Sequence, residues 1–350
     1  MDKFDFKKKK ATPEWLTSIL KKNGFLVKGS VFSVEQEPTL ANSSFISDFI
    51  SLKVNYSQDS LGHVPSKFLM KMIKPKYYTE KEVDFYNALS NAKTSFPTLT
   101  CYGTEKSPKT QQGYILLDDL THTHHTISSS LPPSQDQCKE AITVLAKMHA
   151  YWWNHSRFGE KNFETPSEKG WREHIHWHEK LYTQFVDFLG DRLTENRKRI
   201  YSLIFEKLPE LLWNRVSSPR NLSLVHGDAH FKNFLYPHNG YEDQCIIFDW
   251  QSWYVGLGAT DLSYNLALFC DPEHRKRIEQ YLLKIYFDEL QKRQIAYLWE
   301  ELQNDYRISF MFNLLLPIWW YSINDQYVWW WPHLERGFTA FEDLDCMEFV

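Results

Sequence analysis

Asp228, Asn233 and Asp249 constrain this chain more than any other feature, because of what surrounds them. A short apolar run, Leu222 to Val225, breaks into the turn His226-Gly227-Asp228. Phe231 to Tyr236 is apolar again, Pro237 to Asp243 reads as a turn, and the strand-like Cys245-Ile246-Ile247-Phe248 ends on Asp249. The three polar side chains therefore stand at the edges of a β-hairpin. Asp228 and Asn233 enclose four residues, the D-x-x-x-x-N spacing of a phosphoryl-transfer loop. In such a loop the Asp takes the proton of an acceptor hydroxyl, while the Asn and a later Asp hold Mg²⁺. Turn formation and strand capping also favour Asp and Asn. Turn chemistry alone does not require all three in this order.

With His226-Gly227 in front and Asp249-Trp250-Gln251 behind, the stretch resembles the aminoglycoside phosphotransferase and choline kinase-like superfamily. Those proteins carry H-G-D-x-H/W-x-x-N and, after a hairpin, I-D-W/F. The D-W-Q form is most similar to the ecdysteroid kinase-like branch. The resemblance implies an α+β, two-lobed, protein-kinase-like fold. A small N-terminal antiparallel β-sheet lobe would span 1–117, a hinge 118–121, and a larger, mainly α-helical lobe 122–350, where substrate binds.

Length and composition agree with two lobes: 350 residues, 43% hydrophobic, exceed one ordinary domain. A formal net charge of -4, with no basic block beyond Lys7–Lys10, argues against a nucleic-acid partner. That run reads as a solvated terminus. Five scattered cysteines without C-x-x-C read as reduced thiols. The N-terminus has no apolar signal region, and the longest apolar run, Leu314 to Tyr321, is broken by Pro317. A soluble, cytoplasmic protein without a membrane partner is expected.

In chain order, Thr12-Pro13-Glu14 starts a helix that Asn23-Gly24 stops. Val31 to Val34, Phe45 to Tyr56 and Phe68 to Ile73 read as antiparallel strands, with polar turns between them. The turn containing Ser43 and Ser44 sits where a kinase places its phosphate-covering loop, without G-x-G-x-x-G. Its backbone and hydroxyls could reach phosphate, or it is an ordinary hairpin turn. Lys71 shares one strand face with Leu69 and Ile73, an apolar setting in which an ammonium needs an anion. The kinase template supplies nucleotide phosphates and a helix glutamate. Glu82, in a stretch resembling E-x-x-F-Y, is the candidate, though Thr79 and Glu82 also fit a capping box.

Tyr114 to Leu117 runs as a strand into Asp118-Asp119-Leu120, similar to the family's E-D-L hinge, where backbone groups meet adenine. The following Thr121-His122-Thr123-His124-His125 reads as a solvated linker rather than a metal site. Gln135 to Trp153 is an amphipathic helix, in which the resemblance makes His149 structural. The aromatic, His-rich stretch 171–178 is where substrate-facing variation is expected, although one face of a packed helix would look the same. Gly256, Gly258 and Asp261 resemble G-x-G-x-x-D-L, whose Asp caps a helix and braces the catalytic loop. Helices are expected at Tyr306–Tyr321 and Tyr327–Phe341, then an acidic tail. Trp319-Trp320 and Trp329-Trp330-Trp331 would form either an aromatic wall for a cationic or amphipathic ligand, or core.

By resemblance, Mg·ATP would lie between the lobes. Adenine would meet Asp118, Asp119 and Leu120, and the phosphates would meet Lys71 (held by Glu82) with Ser43 and Ser44. Asn233 and Asp249 would take Mg²⁺, and Asp228 would be the catalytic residue for a small-molecule hydroxyl acceptor. His226 would brace the loop, and His230 would touch phosphate or pack. A nucleotide-binding module without turnover is the alternative on the same fold. A protein kinase fits poorly, since H-R-D, the D-F-G glycine and A-P-E are all missing.

Overall fold

The computed structural model describes residues 4, 10–38, 47–74, 80–89, 95–107, 111–127, 132–217, 220–241, 243–324, 326 and 328–350. Ser43, Ser44 and Thr79, and with them the phosphate loop and the capping-box partner, lie outside the described residues.

Among the described residues, the N-terminal part is built on a five-stranded antiparallel sheet with a helix on each face. Strands β2 (Val31–Pro38), β3 (Ser47–Tyr56), β5 (Lys67–Ile73), β6 (Cys101–Ser107) and β7 (Gln112–Asp118) lie in the order β2-β3-β5-β7-β6. The short β1 (Leu26–Lys28) pairs with β4 (Leu61–Gly62), inside what the sequence suggested was only a turn. Helix α1 (Pro13–Lys22) is capped by the Thr12 side chain, as its T-P-E start predicts. It buries Trp15, Leu16 and Leu20 against Phe68, Met70, Met72, Tyr114 and Leu116. Each fully buried side chain of this size contributes about 1.5–3 kcal/mol. The alternate residues of the same strands, Ile73, Ile115 and Leu117, join a second core with Val83, Phe85 and Tyr86 of α2 (Lys81–Leu89). Lys71 belongs to this second face. The strand period of two thus separates a structural face from a chemical one.

The C-terminal part is mainly helical. Helix α3 (Gln135–Trp152) has a Ser134–Gln137 capping box, and α4 (Glu168–Leu189) and α5 (Glu195–Val216) follow. The polar loop after the hinge is not a solvated linker. His124 and His125 form β8, which pairs with β10 (Phe234–Pro237), and His124 is buried. β10 pairs antiparallel with β11 (Ile246–Ile247), the expected hairpin. β9 (Ser223–Val225) pairs with β12 (Tyr254–Gly256), so the chain segments on either side of the hairpin close on each other.

Helix α6 (Ala259–Ser263) continues into a π-helical turn, Tyr264–Leu268, and then α7 (Pro272–Lys292). The helix expected over 306–321 is two elements, α8 (Trp299–Asn313) and α9 (Leu316–Ile323), because Pro317 suits a first helical turn and not an interior. Helix α10 (Trp331–Asp343) precedes a short 3₁₀ turn. The acidic tail folds back on the protein: Asp343 pairs with Arg275 and Lys276, and Glu348 with Arg307. Among the described residues no helix is long and apolar enough to cross a membrane.

Candidate active site

The β9–β12 pair and the β10–β11 hairpin bring the three motif residues together. Val225 leads into His226-Gly227-Asp228, where Gly227 has φ +77° and an added Cβ would lie 2.4 Å from the Ser252 carbonyl oxygen. Only glycine fits that approach. The amide nitrogen of Asn233 donates to the Asp228 carbonyl oxygen (2.8 Å) and to Asp228 Oδ2 (3.1 Å). Its Oδ1 is then the atom left for a cation. Asp249 sits at φ +70°, an unusual conformation for a non-glycine residue, at the turn between β11 and a 3₁₀ segment, Trp250–Ser252. Strain of this kind persists only where neighbours over-determine it.

Asp249 is over-determined by Lys71. Lys71 Nζ lies 2.6 Å from Glu82 Oε2 and 2.6 Å from Asp249 Oδ1, so two carboxylates from different parts of the chain share one buried ammonium. Burial alone would lower the Lys71 pKa, but the charges of Glu82 and Asp249 more than offset it and hold the amine protonated. Burial likewise pushes Asp249 up, and the Lys71 charge wins, leaving that carboxyl below its ordinary value. Glu82 is held above its ordinary value by burial, only partly countered by Lys71.

Asp261 braces the loop. It accepts the backbone N–H of His226 (2.6 Å) and of Gly227 (2.9 Å). His149 Nε2 lies 3.1 Å from the same carboxylate, and its Nδ1 is 2.9 Å from the Tyr286 hydroxyl. The expected second role of Asp261, capping the next helix, is not found: neither α6 nor the Tyr264–Leu268 turn has a side-chain cap. The helix begins two residues before Asp261, so this side chain sits within the first turn, and its two oxygens accept the loop amides. His226 is also engaged at both ring nitrogens, Nε2 with the Phe248 carbonyl oxygen (2.9 Å) and Nδ1 with the Asp228 N–H (3.3 Å). No ring atom is left for a proton-transfer role. His230 lies 3.7 Å from Asp228 and packs on Phe269.

At the hinge, the side chains of Asp118 and Asp119 are internal ties. Asp118 accepts from the Tyr102 hydroxyl (2.7 Å) and the Thr100 N–H (3.1 Å), and Asp119 from Ser51 and Thr121. Among the described residues no group of three or more His, Cys, Asp or Glu side chains is placed to hold a metal ion. The donors that suit a hard cation are the oxygens of Asn233, Asp249 and Asp228, a set that fits Mg²⁺ and not zinc.

Sequence reasoning missed Tyr264, whose hydroxyl donates to Asp228 Oδ1 at 2.7 Å, and Asn265, whose amide donates to the Ala229 carbonyl oxygen at 2.6 Å. Both lie on the π-helical turn, a local irregularity common at functional sites. The only available signal was their position just after Asp261. Beside Tyr264 and Gly227 opens a cavity of about 720 Å³. Its walls include Trp171, His174 and Trp177 of the His-rich stretch, together with Tyr254, Phe312 and Trp319. Part of the 171–178 stretch thus lines a cavity. Of the C-terminal tryptophans, Trp319 reaches this cavity, whereas Trp330 is fully buried in core.

A β-sheet unit carrying a Lys–Glu pair, set against a helical unit carrying Asp-Asn-Asp on a hairpin, defines a protein-kinase-like fold. Residues 62–298 match the ecdysteroid kinase-like family, and the chain belongs to it. Solved structures of similar fold include a Ralstonia eutropha protein classed with the aminoglycoside phosphotransferases (TM-score 0.58, 16% identity, covering 95% of this chain and 96% of that one). Choline kinase from Cryptosporidium parvum is similar as well (0.54, 14%, 90% and 89%). So is an ADP-bound aminoglycoside phosphotransferase (0.51, 15%, 88% and 93%). No curated protein matches in sequence.

Proposed function

We propose that this chain is an ATP- and Mg²⁺-dependent phosphotransferase that moves the γ-phosphoryl group to a hydroxyl of a small molecule. One observation carries the reading: Asp228 is held by Asn233 and Tyr264 beside the cavity, on the hairpin whose far end presents Asp249 to Lys71. Asp228 accepts the proton of the acceptor hydroxyl as its oxygen bonds to phosphorus and the bond to the ADP leaving group breaks. Lys71 is positioned for the α- and β-phosphates, kept charged and aimed by Glu82. Asn233 and Asp249 would hold Mg²⁺, which supplies charge neutralisation on the phosphates when bound. The backbone of Asp118–Leu120 would meet adenine. Phosphoryl transfer needs positioning and electrostatics more than covalent chemistry, which this set can provide.

The cavity supports a neutral, largely apolar alcohol as the acceptor class. Its accessible lining is mostly apolar, with Trp171, Trp177, Tyr264, Phe312, Leu316 and Trp319 among its walls; its charged residues are Lys81, Glu164 and Asp261, the last already engaged by the loop amides. Burial lowers the pKa values of His174 and His178, so neither adds positive charge. A polycationic aminoglycoside would need several carboxylates. A choline-sized molecule would leave most of about 720 Å³ unfilled.

The test is a coupled nucleotide-consumption assay with Mg²⁺ across aminoglycosides, choline-like amines, sugars and sterols, with Asp228→Asn as control. Acceptor-dependent consumption with apolar alcohols, lost in the variant, is the expected result. Turnover only with polycations would overturn the acceptor class. Failure to bind nucleotide would overturn the reading as a whole, and tight binding without turnover on any hydroxyl would favour a nucleotide-binding module.

A further inference from the structure

We infer that Trp253 is a positioning residue, which locks α2 so that Glu82 stays on Lys71; this rests on the phosphotransfer reading above. In the kinase template the Lys–Glu pair exists only when the glutamate helix is correctly placed. Here that helix is fastened to the five residues that begin with Asp249. Trp253 Nε1 donates to the Lys81 carbonyl oxygen at 2.6 Å, and Lys81 Nζ donates back to the Trp253 carbonyl oxygen at 3.2 Å. Glu82, next in sequence, accepts the backbone N–H of Trp250. One turn further on, Phe85 stacks on Trp250 with ring centroids 3.8 Å apart and planes 11° apart. Trp253 itself is 4% exposed and packs on Phe163.

The arrangement makes Lys71, Glu82 and Asp249 one mechanical unit. Asp249 is the left-handed residue that turns the chain into the 3₁₀ segment, and the indoles of that segment and the next residue seat the helix carrying its counter-carboxylate. Each contact alone is ordinary core packing. Their concentration on residues 81–85 and 249–253, the two stretches that present Glu82 and Asp249, is what assigns the role. The indole N–H is the most specific link, because it ties the first residue of α2 to the segment directly.

The experiment removes that donor in two forms. Trp253→Phe is made in the full-length chain, with a benzothiophene analogue of tryptophan incorporated at 253 as a second form that keeps the bicycle and lacks the N–H. Mg·ADP binding is measured by calorimetry, and backbone hydrogen exchange is followed across the chain. The expected result is about fivefold weaker Mg·ADP binding, the equivalent of one lost hydrogen bond, with faster exchange concentrated in residues 82–89. A purely structural tryptophan would instead loosen its whole surroundings and leave nucleotide affinity alone. Wild-type binding with equal affinity in the analogue form, and unchanged exchange in α2, would overturn the inference alone. Absence of Mg·ADP binding by the wild type would overturn it together with the phosphotransfer reading.

Discussion

The Tyr264 hydroxyl donates to Asp228 Oδ1 at 2.7 Å, and the same tyrosine lines the cavity beside the loop. Burial, and then the neighbouring Asp228 charge, raise its pKa well above the ordinary tyrosine value, so it remains a donor at any working pH. It holds one oxygen of the carboxylate while Asn233 holds the other. Tyr264→Phe is expected to lower kcat about tenfold by loosening this orientation, whereas Asp228→Asn lowers it by about 10²–10⁴. Steady-state rates with an acceptor found in the library assay check both.

Lys71→Met leaves two carboxylates facing each other without their shared cation. Lys71 and Glu82 are almost fully buried, so solvent cannot compensate. Breaking such a pair from one side costs about 3–5 kcal/mol. Urea unfolding should show that loss, and Lys71→Met combined with Glu82→Gln should recover part of it. Equal stability of the single and double variants would contradict the geometry.

Gly227→Ala combines a left-handed backbone with a Cβ placed 2.4 Å from a main-chain oxygen. The conformational cost alone is about 1–3 kcal/mol, and the Ser252 carbonyl must move as well. Catalysis should fall further than stability, because the displaced segment runs directly into Asp228. Parallel measurement of kcat and the thermal midpoint separates the two.

Burial holds His178 and His333 near a pKa of about 4, against 6.5 for an ordinary histidine. The unfolded chain then binds protons at these positions below 6.5, while the folded chain does not until about 4. Their contribution to stability is therefore intact above the upper value and is lost as pH falls through this window. The loss is on the order of 3 kcal/mol per site. Urea titrations between pH 7 and pH 4 should show this slope, and His178→Gln with His333→Gln should flatten it.

The part of the site that the sequence revealed is local in origin. Asp228, Asn233 and Asp249 are legible because a hairpin of known length sets their spacing, and Lys71 because an ammonium between apolar neighbours on a strand demands a partner. Glu82 was legible as that partner only alongside a competing role in a helix cap. Two of the misread segments meet partners that lie far off in the chain. His124 and His125 look solvated in sequence but gain a strand partner 111 residues away, in Tyr236↔His125. Asp261 looks like a helix cap but spends both oxygens on the loop amides of His226 and Gly227.

By itself, then, the sequence determined the alternation of strand faces, the cap of α1, and the order of Asp228, Asn233 and Asp249 along the hairpin. These follow from short-range sterics and periodicity, which need no knowledge of the rest of the chain. Tertiary structure alone decided that Tyr264 would orient Asp228, that Trp253 would seat α2, and that α4, α8 and α9 would enclose a cavity beside them. Those relationships join residues far apart in the chain, and their energy exists only once the cores on either side have closed and excluded water.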